Sequence, residues 1–257
     1  MPEHIFWDPI HQKFELASFD GFDAVIHLAG EPIFGVWTEE KKERIRLSRV
    51  VGTRLLAEIF SKVNHPPKVF LSASAAGYYG DRGDEVLQEN SGAGNTFLAS
   101  VCMAWESASH ALKEKGVRVL TPRFGIVIDK RGGVLKKMLL PFKLGLGCIF
   151  GSGKQWISWI ALNDLVRAME FCVTNNKMEG AINFVSPNPL RQKDFAKTLA
   201  GCLRRPLFFR CPAFILRKIL GQMADELLLA SQRVKPEKLV QHHFSFQKPT
   251  LEEAIRS

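Results

Sequence analysis

The chain has 257 residues, 46% of them hydrophobic and 24% charged, which fits a globular protein with one large core or a core and a small appendage. No apolar run approaches a membrane span and Met1-Pro2-Glu3-His4 has no leader character. The five cysteines (Cys102, Cys148, Cys172, Cys202, Cys211) show no C-x-x-C spacing, which argues against a zinc site or a disulfide framework. The net charge of +9 is dispersed over groups such as Lys41-Lys42 and Arg204-Arg205 with no nucleic-acid-binding signature, so the expectation is a cytoplasmic protein with neither nucleic acid nor membrane as a partner.

In chain order, Asp23 to Gly30 is an apolar run ending in glycine and reads as a buried strand with its exit turn. Residues 39–62 read as an amphipathic helix with Ile45, Val50, Leu55, Leu56 and Ile59 near one face. After Pro66-Pro67 comes a strand over Lys68–Ala73, then a helix over 96–115 stopped by Gly116. Val117 to Ile128 reads as one strand, made irregular by Pro122. Residues 129–160, rich in glycine and aromatics, read as a loop covering a ligand; Asn163–Thr174 as a helix and Ala181–Val185 as a short strand. The alternation predicts an α/β fold with a mainly parallel, doubly wound sheet over 1–185, followed by a small, mainly helical segment over 186–257.

The chemistry-bearing stretch is Leu71-Ser72-Ala73-Ser74-Ala75-Ala76-Gly77-Tyr78-Tyr79-Gly80, a strand that runs into a serine cluster and a Tyr-Gly turn. Ser74 is placed to hydrogen-bond a substrate carbonyl or hydroxyl, with satisfaction of strand-end backbone groups as its alternative role. Tyr78 and Tyr79 are the only tyrosines, so any phenolic acid/base is one of them. Neither has lysine four positions on, where Arg82 and Gly83 stand, and aromatic packing is the competing role for both.

Gly151-Ser152-Gly153-Lys154 lacks the first glycine of a phosphate loop, since Cys148 stands there. Asp164 reads as a helix cap, Cys102 as a small buried apolar residue, and His242-His243 as a solvated pair without the partners of a metal site.

Taken with Leu28-Ala29-Gly30-Glu31-Pro32-Ile33, Ser48-Arg49-Val50, Trp105-Glu106, Gly132-Gly133, Pro141 to Gly147, Gly151 to Trp156, Asn163-Asp164-Leu165 and Pro187-Asn188-Pro189, these motifs resemble an atypical short-chain dehydrogenase/reductase group. These are the epimerase-family proteins with a distinctive C-terminal domain, within the NAD(P)-binding Rossmann superfamily.

The resemblance implies a Rossmann-like fold and NADP as cofactor, with NAD as the alternative. It implies a small carbonyl or sugar-nucleotide substrate, and a homodimer is compatible with it. It points to Ser74, Tyr78 and Tyr79 for catalysis. Leu28, Ala29, Gly30, Glu31, Thr53, Ser72, Ala73, Arg123, Gly125, Ile126 and Val127 would line the cofactor. The usual Tyr-x-x-x-Lys pair is absent: Phe97 and Val101 occupy those positions, as in the group itself. The group's opening strand, glycine-rich turn and helix have no counterpart either, because the sequence starts near Trp7-Asp8-Pro9; the expectation is a first βαβ unit missing and cofactor affinity weakened. Three readings stay open: an oxidoreductase or nucleotide-sugar epimerase-like enzyme, a non-catalytic NADP-binding regulatory or interaction protein, or, with the phosphate turn missing, a chain that binds no cofactor.

Overall fold

A computed structural model describes residues 4–9 and 11–257; the reading of residues 1–3 as something other than a leader lies outside them. The strands are β1 Trp7–Asp8, β2 Lys13–Phe14, β3 Ala24–His27, β4 Val69–Ser72, β5 Ser74–Ala75, β6 Val86–Leu87, β7 Arg118–Phe124 and β8 Ile126–Ile128. They continue with β9 Cys148–Phe150, β10 Trp156–Ile157, β11 Trp159–Ala161, β12 Gly180–Phe184, β13 Leu190–Arg191, β14 Phe209–Cys211 and β15 Arg233–Val234. The helices are α1 Glu39–Lys62, α2 Phe97–Ser107, α3 Gly133–Lys143, α4 Leu162–Thr174, α5 Gln192–Cys202, α6 Ala213–Leu220, α7 Glu237–Gln241 and α8 Leu251–Arg256.

Four parallel strands in the order β12-β7-β4-β3 form the central sheet, with β5 pairing beside β7. Parallel strands need covering on both faces, and β4 (Val69-Phe70-Leu71-Ser72) is buried throughout. Alternation sends Phe70 to one face, against Leu55, Leu56, Ile59 and Phe60 of α1. Val69 and Leu71 go to the other face, against Leu165, Ala168, Met169 and Cys172 of α4. The fold is therefore α/β, with helices on both faces of a parallel sheet.

α1 spans the predicted residues because its ends are marked. The Thr38 side chain accepts from the Lys41 amide, Glu39 and Glu40 sit in the first turn, and Lys62 sits in the last.

Three expectations are corrected. The helix foreseen over 96–115 is α2 followed by a 3-10 segment, His110–Lys115, with Ala108 and Ser109 forming the turn between them. The strand foreseen over 117–128 breaks at Gly125. There the chain leaves β12 for β11, the Gly125 amide donating to Phe184 O and that of Ile126 to Ser158 O. A Cβ on Gly125 would lie 2.7 Å from Ser158 O, so only glycine admits the crossing. Pro122 falls where β7 has run past β4 and not yet reached β5, so its missing N–H breaks no bond on that side.

The third correction concerns 129–160, which is not one loop. Leu135 and Phe142 bury the inner side of α3 against Phe195 and Leu199 of α5 and Leu251 and Ile255 of α8. The later segment is also laced into the earlier one, since β13, β14 and β15 pair with β10, β9 and β6.

Candidate active site

The carboxyl ends of β3, β4 and β7 meet at one end of the sheet, where open α/β sheets bind their ligands. His27 lies opposite Ser72, the Ala73 amide donates to His27 O, and Ser74 pairs with Arg123. Register alone thus brings Leu28-Ala29-Gly30, the Ser72-Ala73-Ser74 cluster and Arg123 to one place.

Ser74 is 1% exposed and its hydroxyl donates to Glu106 Oε1 at 2.6 Å. The same carboxylate receives Arg123 in two-pronged fashion, Nε to Oε1 at 2.8 Å and Nη2 to Oε2 at 2.9 Å. Arg123 Nη1 donates to the Tyr79 hydroxyl (2.9 Å) and to Glu89 O (3.2 Å). The Tyr79 hydroxyl points its proton at Asn183 Oδ1 (2.7 Å), with Gln88 O at 3.0 Å. Asn183 in turn donates to Lys235 O.

Burial opposes the charge on Arg123, but the hydrogen bonds and charge of Glu106, together with Tyr79, outweigh it and raise the guanidinium pKa. Burial pushes the Tyr79 phenol up to about 12, against the lowering influence of Arg123 and Asn183. Cys102 is also pushed up to about 12 by burial, as fits a small apolar residue.

Tyr78 differs. Its ring lies under the Arg123 guanidinium at 3.4 Å and meets Tyr79 edge-on at 5.3 Å. Among the described residues its hydroxyl has no hydrogen-bond partner, and it is half-buried. Of the two phenols, Tyr78 has the free hydroxyl.

The sequence-derived cofactor residues divide by accessibility. Leu28, Ala29 and Gly30 are exposed and Glu31 is half-buried. Gly125, Ile126 and Val127 are half-buried at the β7–β8 crossing, where Gly125 is already committed to the backbone of Ser158. Thr53, Ser72, Ala73 and Arg123 are buried, and Thr53 receives Trp105 Nε1 at 2.9 Å. Lys41 holds the Glu31 carboxyl below the usual carboxylate range.

Two residues of this region were quoted from the sequence only within the motifs of the family resemblance, with no site role. Arg49 packs its guanidinium within 3.4 Å of where a Cβ on Gly30 would sit, donates to Glu31 O, and lies over Trp105. Glu106 anchors the buried network. It is the only charged residue of α2, and Arg123 is the buried one of the two arginines of β7, the half-buried Arg118 standing at the strand's start. A single acid on a largely apolar helix, and an arginine near the end of a buried strand, are the signals that could have paired them.

Beyond the Ala76–Tyr79 turn lies a cavity of about 170 Å³ bordered by Gly77, Gly80, Thr96, Glu226 and Gln232. Glu226 closes one wall by accepting from the Phe97 and Leu98 amides, so a carboxylate caps the N-terminus of α2.

A sequence profile described as the NAD dependent epimerase/dehydratase family matches residues 10–184. The chain belongs to this family. A second profile, a domain of unknown function (DUF1731), matches residues 211–257. An epimerase family protein of Mycobacterium bovis is 35% identical over 254 residues, covering 98% of this chain and 84% of the relative. The crystal structure of human epimerase family protein SDR39U1 (isoform2) with NADPH superposes with a TM-score of 0.89 at 30% identity, covering 94% of this chain and 83% of that one. The nucleoside-diphosphate sugar epimerase from Corynebacterium glutamicum gives 0.80 at 37% identity, over 97% of this chain and 48% of that one. Among the described residues no helix is long and apolar enough to cross a membrane.

Proposed function

We propose that the protein is an NADP(H)-dependent enzyme that acts on a carbonyl or carbinol carbon of a small substrate of the sugar-nucleotide class, with Tyr78 exchanging the proton. The observation that carries this reading is the contrast between the two phenols. Burial pushes the Tyr79 phenol up to about 12 and its proton is committed, whereas the Tyr78 hydroxyl has no hydrogen-bond partner among the described residues and its ring rests on a guanidinium. The relatives support the ligand classes: the human protein was crystallised with NADPH, and the Corynebacterium protein is described as a nucleoside-diphosphate sugar epimerase.

The residues present fit a dinucleotide at the strand ends. Leu28, Ala29 and Gly30 leave the main chain accessible, and Gly30 is small where the Arg49 guanidinium approaches, so a cation stands beside an open backbone. Leu28 to Glu31 and the half-buried Gly125 to Val127 would hold the cofactor, with Arg49 facing its anionic groups. When bound, the nicotinamide supplies or takes up the hydride.

The chain's own residues do the rest. Ser74, its proton directed into Glu106, offers lone pairs that accept from a substrate hydroxyl. Arg123 holds the Tyr78 ring in place and keeps a positive charge against its face, which favours the phenolate formed when the proton leaves. The later segment contributes to the substrate side in this reading through Glu226 and Gln232, which wall the cavity next to Gly77.

One observation favours a second reading, a cofactor-binding protein without turnover: Ser74 and Arg123 are both spent on Glu106, so neither donates outward. Titration with NADPH and NADH, followed by turnover over a panel of carbonyls and nucleotide sugars, separates the two. NADPH binding with turnover that Tyr78→Phe abolishes supports the enzyme. Binding without turnover across the panel supports the sensor, and no binding of either nucleotide refutes both.

A further inference from the structure

We propose that the surface built by residues 203–220 docks on an anionic lipid bilayer. This segment, Leu203-Arg204-Arg205-Pro206-Leu207-Phe208-Phe209-Arg210-Cys211-Pro212 followed by α6, carries five cations and no acid. α6 turns Leu216 inward and packs Leu220 against the cluster of Trp37, Ile45 and Met223. Its opposite side should then be polar, yet that side presents Phe214 at 68% exposure and Ile219 at 63%, with Ile215 and Lys218 between them. Immediately before the helix, Phe208 is 81% exposed and Phe209 51%. β14 runs alongside β9, Phe209 opposite Cys148, so the exposed Leu144 and Leu146 just ahead of β9 extend the same apolar surface.

The cations make the choice of partner. Arg217 is neutralised by Asp225 at 2.7 Å, but Arg204, Arg205, Arg210 and Lys218 form no ion pair among the described residues. A second copy of the chain meeting this face across a two-fold axis would set these charges against their own duplicates, which is repulsive. A headgroup layer takes aromatic and aliphatic side chains and unpaired cations together, and gains from anionic lipid. The expectation of no membrane partner rested on the lack of a spanning segment, and surface docking needs none. None of these side chains hydrogen-bonds the Ser74–Glu106–Arg123 network; Arg217 alone of them borders the cavity beside Gly77, and it is left unchanged in the test.

The test is co-sedimentation of the full chain with vesicles of pure phosphatidylcholine and with vesicles containing roughly one-third phosphatidylglycerol, an anionic content chosen to give a clear surface potential. The expected result is partition onto the anionic vesicles that weakens with added salt. Each cation removed should cost about 5-fold, read with Arg204→Gln plus Arg210→Gln. Phe208→Ser plus Phe214→Ser should abolish partition while leaving thermal unfolding and NADPH titration as in the parent. Four results overturn the proposal: no partition onto anionic vesicles, partition independent of lipid charge, both double variants binding like the parent, or light scattering that shows a dimer dispersed by Phe214→Ser. The first result would leave the apolar face to an acidic protein partner instead.

Discussion

Removing the carboxylate of Glu106 tests the buried network most directly. Glu106→Ala takes away both acceptors of the Arg123 fork and the acceptor of Ser74, and leaves a guanidinium that is 3% exposed facing a void. Breaking a buried ion pair on one side costs about 3–5 kcal/mol, because the surviving charge stays desolvated and unpaired. At roughly 2–4 °C per kcal/mol for a chain of this size, the melting temperature should fall by about 6–20 °C in a calorimetric or circular-dichroism scan. The cost is a property of the orphaned charge, so Glu106→Leu with Arg123→Met should lose less than the single change. The recovery will be partial, since Arg123 also bonds Tyr79 and stacks on Tyr78. A single variant that melts within about 2 °C of the parent, roughly 1 kcal/mol or less, or a double variant that is worse than it, would refute the reasoning.

The two tyrosines should separate in function. Tyr79→Phe strips the Arg123 and Asn183 bonds of a partner and should cost about 1–3 kcal/mol of stability while turnover persists; Tyr78→Phe should lower turnover by about 10²–10⁴ with little change in melting. His27, 4% exposed with its Nε2 unpartnered, has a pKa lowered by burial to about 4. The unfolded chain then binds a proton that the folded chain refuses between about pH 6.5 and 4. Stability therefore falls as pH drops through that window, by up to about 3 kcal/mol, and denaturant melts of His27→Phe should lack that slope. Gly125→Ala places a methyl 2.7 Å from Ser158 O and should cost about 1–3 kcal/mol in the same melts.

Much of the sheet was legible because its signals are local. α1 has a capping threonine, acids in its first turn and a 3.6-residue apolar stripe, and β4 is a short apolar run after a double proline. What escaped depends on partners far along the chain. The break at Gly125 is imposed by the backbone of Ser158, more than thirty residues on, and nothing in Phe124-Gly125-Ile126 announces it. α3 hid behind Gly132, Gly133 and Pro141, and it exists because Leu135 and Phe142 find a surface made by α5 and α8. At the site, Ser74, Tyr78, Tyr79 and Arg123 could be named from local pattern and family resemblance, and the structure brings them into one cluster. The role of Glu106, and the division of labour between two adjacent tyrosines, required knowing which way each side chain turns.

The stitching of residues 226–235 into the earlier part of the molecule constrains how the chain can be built on the ribosome. Glu226 caps α2 from 129 and 128 residues away, Ser231 binds Asp81 and Gly83 across 150 and 148, and β15 supplies the partner of β6. When α2 and the 81–87 turn emerge, their partners have not yet been synthesised. The nascent polypeptide therefore carries an open helix start and an unpaired strand for the time needed to translate more than a hundred further codons, which at about 5–20 residues per second is of the order of ten seconds. Such long-range closure makes the last step of folding slow and leaves the intermediate exposed to chaperones and proteases. A substitution in 226–235 that leaves the finished protein nearly as stable should therefore still reduce its yield in cells.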